Sequence, residues 1–185
     1  DLGMDNGYVY DLLPLASGEM IVVGEGREAG SSAMRTVVRL TASGVETWTI
    51  NPDILLILEG LVYGNDLWLY SPFTQEITVV DIADGAITGT LGVSDFISYS
   101  LSLQLLERDG RFFFVGSSQL AEMVVNEDFG TFTAINEYEV ETGIILRRAR
   151  ARDNGIIEVL SYGGNLQLID TNLGEVNSIA QLYIP

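Results

Sequence analysis

Residues 16–24 read ASGEMIVVG, a glycine turn running into an apolar strand, and the same phrase returns as VYGNDLWLY (62–70), RDGRFFFVG (108–116) and YGGNLQLID (162–170). The turn glycines, Gly18, Gly64, Gly110 and Gly164, are spaced by 46, 46 and 54 residues. Glycine suits such positions because it lacks the Cβ that penalises positive φ. A recurrence of about 45 residues marks stacked supersecondary units, with four strands per unit in the propeller version. The expected fold is all-β: a β-propeller or propeller-like array of about four blade units, each of three to four antiparallel strands.

The units read as 8–50, 54–91, 99–150 and 155–183 of a single domain spanning 1–185, either complete in itself or a section of a larger propeller or assembly. The first two carry four strand candidates each, at 8–16, 19–24, 35–41 and 45–50, then 54–63, 66–71, 76–83 and 86–91. The breaks are turn chemistry, and Asp84-Gly85 between two β-rich runs is among the strongest hairpin signals. The third unit has strands at 99–107, 111–116, 131–141 and 144–150, with 117–130 as a long insertion. Within that insertion Leu120, Met123 and Val124 fall at helical spacing, so a short helical turn competes with a β-type loop. The fourth unit offers three strands, 155–161, 165–171 and 175–183, and an open sheet edge is one proteins avoid. Its missing strand is expected from residues 1–9 or from a partner chain. Phe112, Phe113 and Phe114 are consecutive, and Trp68 and Tyr70 hold the matching place one unit earlier, so these strands must bury both faces between neighbouring blades.

Composition narrows the chemistry. Of 185 residues, 26 are acidic and nine basic, giving a net charge of −17, and all nine bases are arginine. Nucleic acid and anionic membrane surfaces both require a basic stripe, so neither is an expected partner. With no cysteine and no histidine, disulfides, thiolate nucleophiles, Cys/His zinc sites and imidazole-based triads are all excluded. The most apolar run, 54–63, is interrupted by Glu59 and Gly60 and falls short of the roughly 20 residues that span a bilayer, so no membrane insertion is expected. GEGREAG (24–30) has the wrong spacing for a dinucleotide loop and reads as an inter-strand connection.

Residues 164–180, GNLQLIDTNLGEVNSIA, resemble the blade signature of quinoprotein-like (PQQ-type) propellers, in which an apolar strand ends in Asp, a Thr-Gly-type turn follows and a second strand leaves after it. VVDIADGAITGTL (79–91) and YEVETGIILRRAR (138–150) are looser copies. LASGEMIVVGEG (15–26) followed by VVRLTASGVETWT (37–49) is similar to the delta-sixty propeller repeat of bacterial proteins. The tryptophan that quinoprotein dehydrogenases place after this turn has a counterpart near Trp48 alone; Ile87, Leu146 and Val176 stand in the other spots. The resemblance implies the fold, and no cofactor or catalytic residue carries over with it.

Two local features stand out. Glu122, Glu127 and Asp128 in the third unit are candidate hard-oxygen ligands for Ca²⁺, although no D-x-[DN]-x-[DN]-G loop accompanies them and a solvated acidic loop is the plainer reading. Arg147, Arg148, Arg150 and Arg152 hold four of the nine positive charges, just beyond a strand carrying Glu137, Glu139 and Glu141. A charge-paired outer hairpin joined at Thr142-Gly143 is the plain expectation. The sharper one is an arginine edge that docks an acidic surface of a protein partner or of a second copy, since the planar guanidinium binds carboxylates bidentately. The sequence thus points to a non-catalytic β-propeller scaffold or interaction module, extracellular or periplasmic, without a cofactor. The alternative is a carboxylate-based hydrolase or lyase, Ca²⁺-dependent or not, acting on a small molecule or glycan at the channel mouth.

Overall fold

The computed structural model describes residues 4–28, 34–50, 59–71, 74–93, 104–116, 119–126, 131–140, 146–152, 154–161 and 164–181. The chain divides into two compact units, Asp1–Leu91 and Gly92–Pro185. Each is built from two antiparallel four-stranded meanders of the β-propeller blade type. In the first unit these are β1 (Met4–Pro14), β2 (Met20–Glu28), β3 (Met34–Leu40) and β4 (Glu46–Ile50), then β5 (Glu59–Tyr63), β6 (Asp66–Ser71), β7 (Glu76–Asp81) and β8 (Ile87–Gly92). In the second they are β9 (Gln104–Arg108), β10 (Arg111–Val115), β11 (Gln119–Asn126) and β12 (Thr131–Glu139), then β13 (Leu146–Ala151), β14 (Ile156–Ser161), β15 (Asn165–Asp170) and β16 (Glu175–Gln181). Among the described residues no helix is long and apolar enough to cross a membrane.

Each unit has one apolar core, formed where its two sheets pack face to face. Ile21, Val23 and Val37 of the first sheet meet Leu67, Leu69 and Val80 of the second. In the other unit Phe113, Val115, Leu120 and Tyr138 meet Ala149, Ile157, Val159 and Ile169. Full burial of such a side chain contributes about 1.5–3 kcal/mol, and the uninterrupted burial of Leu67–Tyr70 and Phe112–Val115 follows from strands covered on both faces.

The turn glycines behave as the repeat requires. Gly18 (φ 82°), Gly64 (61°) and Gly110 (76°) each follow the first strand of their sheet in a left-handed conformation. At the first of them the Gly18 N–H donates to Leu15 O and the Leu15 N–H to Glu19 O, a tight hairpin with the glycine as bulge residue.

The fourth copy corrects the sequence reading. The strand expected to close the third unit, 144–150, is instead β13, the first strand of the fourth sheet. The true equivalent of Gly110 is Gly155 (φ 78°), and Gly164 sits one hairpin later, between β14 and β15. Placing Gly155 in the series makes the spacings 46, 46 and 45 residues. The fourth sheet is therefore complete, and the N-terminal residues belong to the first sheet as β1.

Two further expectations fall with it. The supposed insertion is the strand β11, paired with both β10 and β12. Its helical spacing was accidental: residues 120–123 are all buried, which erases the alternation that would have betrayed a strand. The acidic strand and the arginine strand do not form a hairpin either, because β12 and β13 lie in different sheets.

Gly155→Ala should be costly. Left-handed backbone disfavours a side chain by about 1–2 kcal/mol, and a Cβ here would collide with the Asn172 amide. Gly89, exposed on β8 with open space around it, is the control, and its alanine variant should stay within about 0.5 kcal/mol of the parent. Urea denaturation of the two variants checks the pair, and equal midpoints would contradict the assigned turn.

Candidate functional site

The second unit contains six of the nine arginines. On β13 the alternation of a strand places Ala149 in the core and leaves Arg148 and Arg150 exposed. The Arg147 side chain lies outside the described set. β13 is an edge strand of its sheet and runs beside β9, where the Gln104 side chain accepts a hydrogen bond from the Ala149 N–H. Arg150 stands opposite Glu158 of β14 in the register, and Arg152, just past the strand, pairs with that same carboxylate. Glu137 and Glu139 are exposed on β12, where Glu137 accepts from the Gln119 amide at 2.9 Å. Glu141 lies outside the described residues.

Beyond the end of β13 a cleft of about 270 Å³ opens among the β9–β10, β13–β14 and β15–β16 turns. Arg108, Arg111 and Arg152 line it with Asp109, Asn154 and Asn172, and Phe113 and Ile157 supply its apolar wall. Arg111 grips Glu122 bidentately, Nε to Oε1 at 2.6 Å and Nη2 to Oε2 at 2.8 Å, and Asn136 donates to Oε2 at 2.9 Å. The remaining terminal nitrogen of Arg111 reaches Asn172 Oδ1 at 3.3 Å, and its guanidinium carbon lies 5.2 Å from the centre of the Phe113 ring. Asn172 in turn donates to the Asn154 carbonyl at 3.0 Å, so the three turns are tied together by one chain of hydrogen bonds.

The first unit has a comparable tie. Arg39 donates to the carbonyls of Ile82 and Ala83 at 2.6 and 3.3 Å and to Glu19 at 2.7 Å, while Trp48 Nε1 donates to the same Ile82 carbonyl. In both units an arginine on one sheet fastens the outer turn of the next. Arg39 and Arg111 are therefore positioning residues.

Of the candidate Ca²⁺ ligands, Glu122 is buried in β11 with both oxygens engaged by Arg111 and Asn136. Glu127 and Asp128 fall in 127–130, outside the described residues. Among the described residues no three acidic groups converge.

The hydrogen bonds from Arg111 hold the Glu122 carboxyl below the usual carboxylate range against the opposing effect of burial, and Arg39 does the same for the half-buried Glu19. Burial pushes the Tyr138 phenol up, with the Glu122 charge adding to it. A carboxylate depressed in the folded state stabilises the fold above its unfolded value and loses that contribution as pH falls through the folded one. Stability should therefore fall on acidification below the ordinary carboxylate range, near pH 4. Glu122→Gln should flatten part of that fall, and melting curves across the acid range would contradict this if parent and variant kept parallel slopes.

Sequence reasoning found the arginines of β13 and missed Arg108, Arg111, Asn154 and Asn172. The signal was present in the sequence: Arg108-Asp109-Gly110 and Arg152-Asp153-Asn154-Gly155 are similar phrases that stand between the first two strands of successive sheets, the second longer by one residue.

No protein-family model matches the chain, and no curated protein does. Its fold has many counterparts among solved structures. The β-propeller domain of Cps50 (Swd1) from Myceliophteria thermophila superposes with a TM-score of 0.62 at 11% identity, over 97% of this chain and 57% of that one. The C-terminal WD40 domain of Sif2 gives 0.61 at 12% identity, over 91% and 44%. BamB from Moraxella catarrhalis gives 0.50 at 15% identity, over 94% and 65%. The chain thus spans about half to two thirds of the length of these structures. At such identities the likeness establishes the β-propeller fold and nothing finer.

Proposed function

We propose that this chain is a non-catalytic β-propeller interaction module that docks an acidic protein surface along the arginine edge of β13, and that it works outside the cytoplasm. The observation that carries the reading is the outward placement of Arg148 and Arg150, with Arg152 continuing the row, in a chain whose other charges are overwhelmingly acidic. Exposed guanidiniums in a row are suited to steering and then bidentately binding carboxylates. Fractionation of the source cells with an antibody tests the extracytoplasmic placement, which a signal confined to the cytosolic fraction would overturn.

Fluorescence anisotropy with a labelled Asp/Glu-rich peptide tests the docking surface. The parent should bind it in a salt-sensitive manner, and Arg148→Glu/Arg150→Glu should weaken binding by about tenfold or more. Equal binding by parent and variant would remove the arginine edge from the account.

A further inference from the structure

Three turns of the structure carry an Asx-Gly pair: Asp84-Gly85, Asp109-Gly110 and Asn154-Gly155. Each glycine is left-handed, with φ of 77°, 76° and 78°. Such a pair is chemically open, because a glycine has no side chain to keep its main-chain nitrogen from closing a ring onto the preceding side-chain carbon. In two of the three turns hydrogen bonds oppose that closure. The Gly85 N–H donates to the Asp81 carbonyl at 2.9 Å, and Asp84 Oδ1 accepts from the Ala86 N–H at 2.8 Å. The Gly110 N–H donates to Glu107 Oε1 at 2.8 Å. In the third turn neither reacting group is held. Among the described residues the Gly155 N–H donates to no acceptor, and the carboxamide of the exposed Asn154 makes no hydrogen bond. The bonds that secure this turn go to its carbonyls instead. Asn154 O accepts from Asn172 Nδ2 at 3.0 Å, and Gly155 O accepts from the Thr171 N–H and hydroxyl at 3.0 and 2.7 Å. Both residues line the cleft of about 270 Å³, where water has access.

We infer that Asn154-Gly155 is a site of spontaneous deamidation in the folded protein. The Gly155 nitrogen gives up its proton and attacks Asn154 Cγ. The new N–Cγ bond closes a succinimide ring as the Cγ–Nδ2 bond breaks and ammonia leaves with the proton. Water then adds to one ring carbonyl. Opening at Cγ gives aspartate, and opening at the main-chain carbonyl gives isoaspartate, in which the chain runs through Cβ and Cγ. Nothing is oxidised or reduced: water enters and ammonia departs. Either product sets a carboxylate on a wall that Arg111 and Arg152 also line. Isoaspartate does more, because the carbonyl that Asn172 holds becomes part of a branch carboxylate and the main chain lengthens by one carbon. The Asn172 amide already fills the space beside Gly155, so the longer turn has no room to settle there. The modification stands whether or not the arginine edge docks a partner.

Mass spectrometry of the full chain, aged at neutral and at mildly alkaline pH, provides the test. A gain of about 1 Da is expected at Asn154, faster at the higher pH because the attacking nitrogen must lose its proton, and electron-transfer fragmentation separates aspartate from isoaspartate. An exposed turn opens at a cost near zero, so Asn154 in the folded chain should convert within about threefold of its rate in urea. Asp84 and Asp109, whose glycine N–H groups are engaged, should isomerise about fivefold or more slower folded than in urea. Asn154→Gln should abolish the gain, since its longer side chain closes a ring far more slowly. Nitrogen-15 NMR of the aged protein should show the Asn172 side-chain amide displaced from its parent position. Conversion of Asn154 in urea but not in the folded chain would overturn the site. So would a gain as fast at Asn136 or Asn172, or one confined to Asn6 of the other Asn-Gly pair, in β1.

Discussion

Phe113→Ala should lower the unfolding free energy by about 4 kcal/mol, the largest single loss expected from any residue near the cleft. Phe113 is 2% exposed at the centre of β10 and belongs to the core shared by the third and fourth sheets, with Tyr138, Val159 and Ile169. Truncation removes the transfer energy of the ring and leaves a cavity that the surrounding structure fills only in part. It also takes away the ring beneath the Arg111 guanidinium, so the cleft wall loosens as the core weakens. Chemical denaturation measures the loss. A change below about 1 kcal/mol would mean that the two sheets do not share this core.

Glu122→Ala should cost about 3 kcal/mol. The pair it breaks is partly shielded: Glu122 is 5% exposed, and its removal strands an arginine already committed to that geometry and leaves the Asn136 amide without its acceptor. An exposed ion pair would contribute far less, about 0–1 kcal/mol, so the measured value discriminates between the two descriptions. Because Arg111 and Glu122 act as one unit, Arg111→Ala on the Glu122→Ala background should add much less than it does alone. Additive losses would show that the pair contributes little beyond its two separate side chains.

The fold was largely legible because glycine turns are local chemistry. Gly18, Gly64 and Gly110 announce a positive φ in the sequence itself, and the structure places each at the hairpin it implied. The consecutive phenylalanines likewise announced a strand buried on both faces. What failed was phase. One added residue in Arg152-Asp153-Asn154-Gly155 disguises the fourth copy, the glycine pair at Gly163-Gly164 matches the repeat phrase more closely, and the pattern therefore places β13 in the wrong sheet. The same kind of loss hid β11, where a register shift at Glu122/Met123 and burial on both faces remove any period of two. The Arg111–Glu122 pair could not be seen until β11 was known to be a strand, since it joins facing strands of one sheet. The cleft was further from view still, because three separate turns build it, the last supplying Asn172 from 61 residues beyond Arg111.

The central claim is that the arginine side of the second unit binds acidic groups. Amide hydrogen exchange across the whole chain, with and without the Asp/Glu-rich peptide, tests it most directly. The account predicts slowed exchange in β13 and at Arg152 just beyond it, with the strands of the first unit unchanged. Protection confined to the first unit, or none anywhere at saturating peptide, would contradict it.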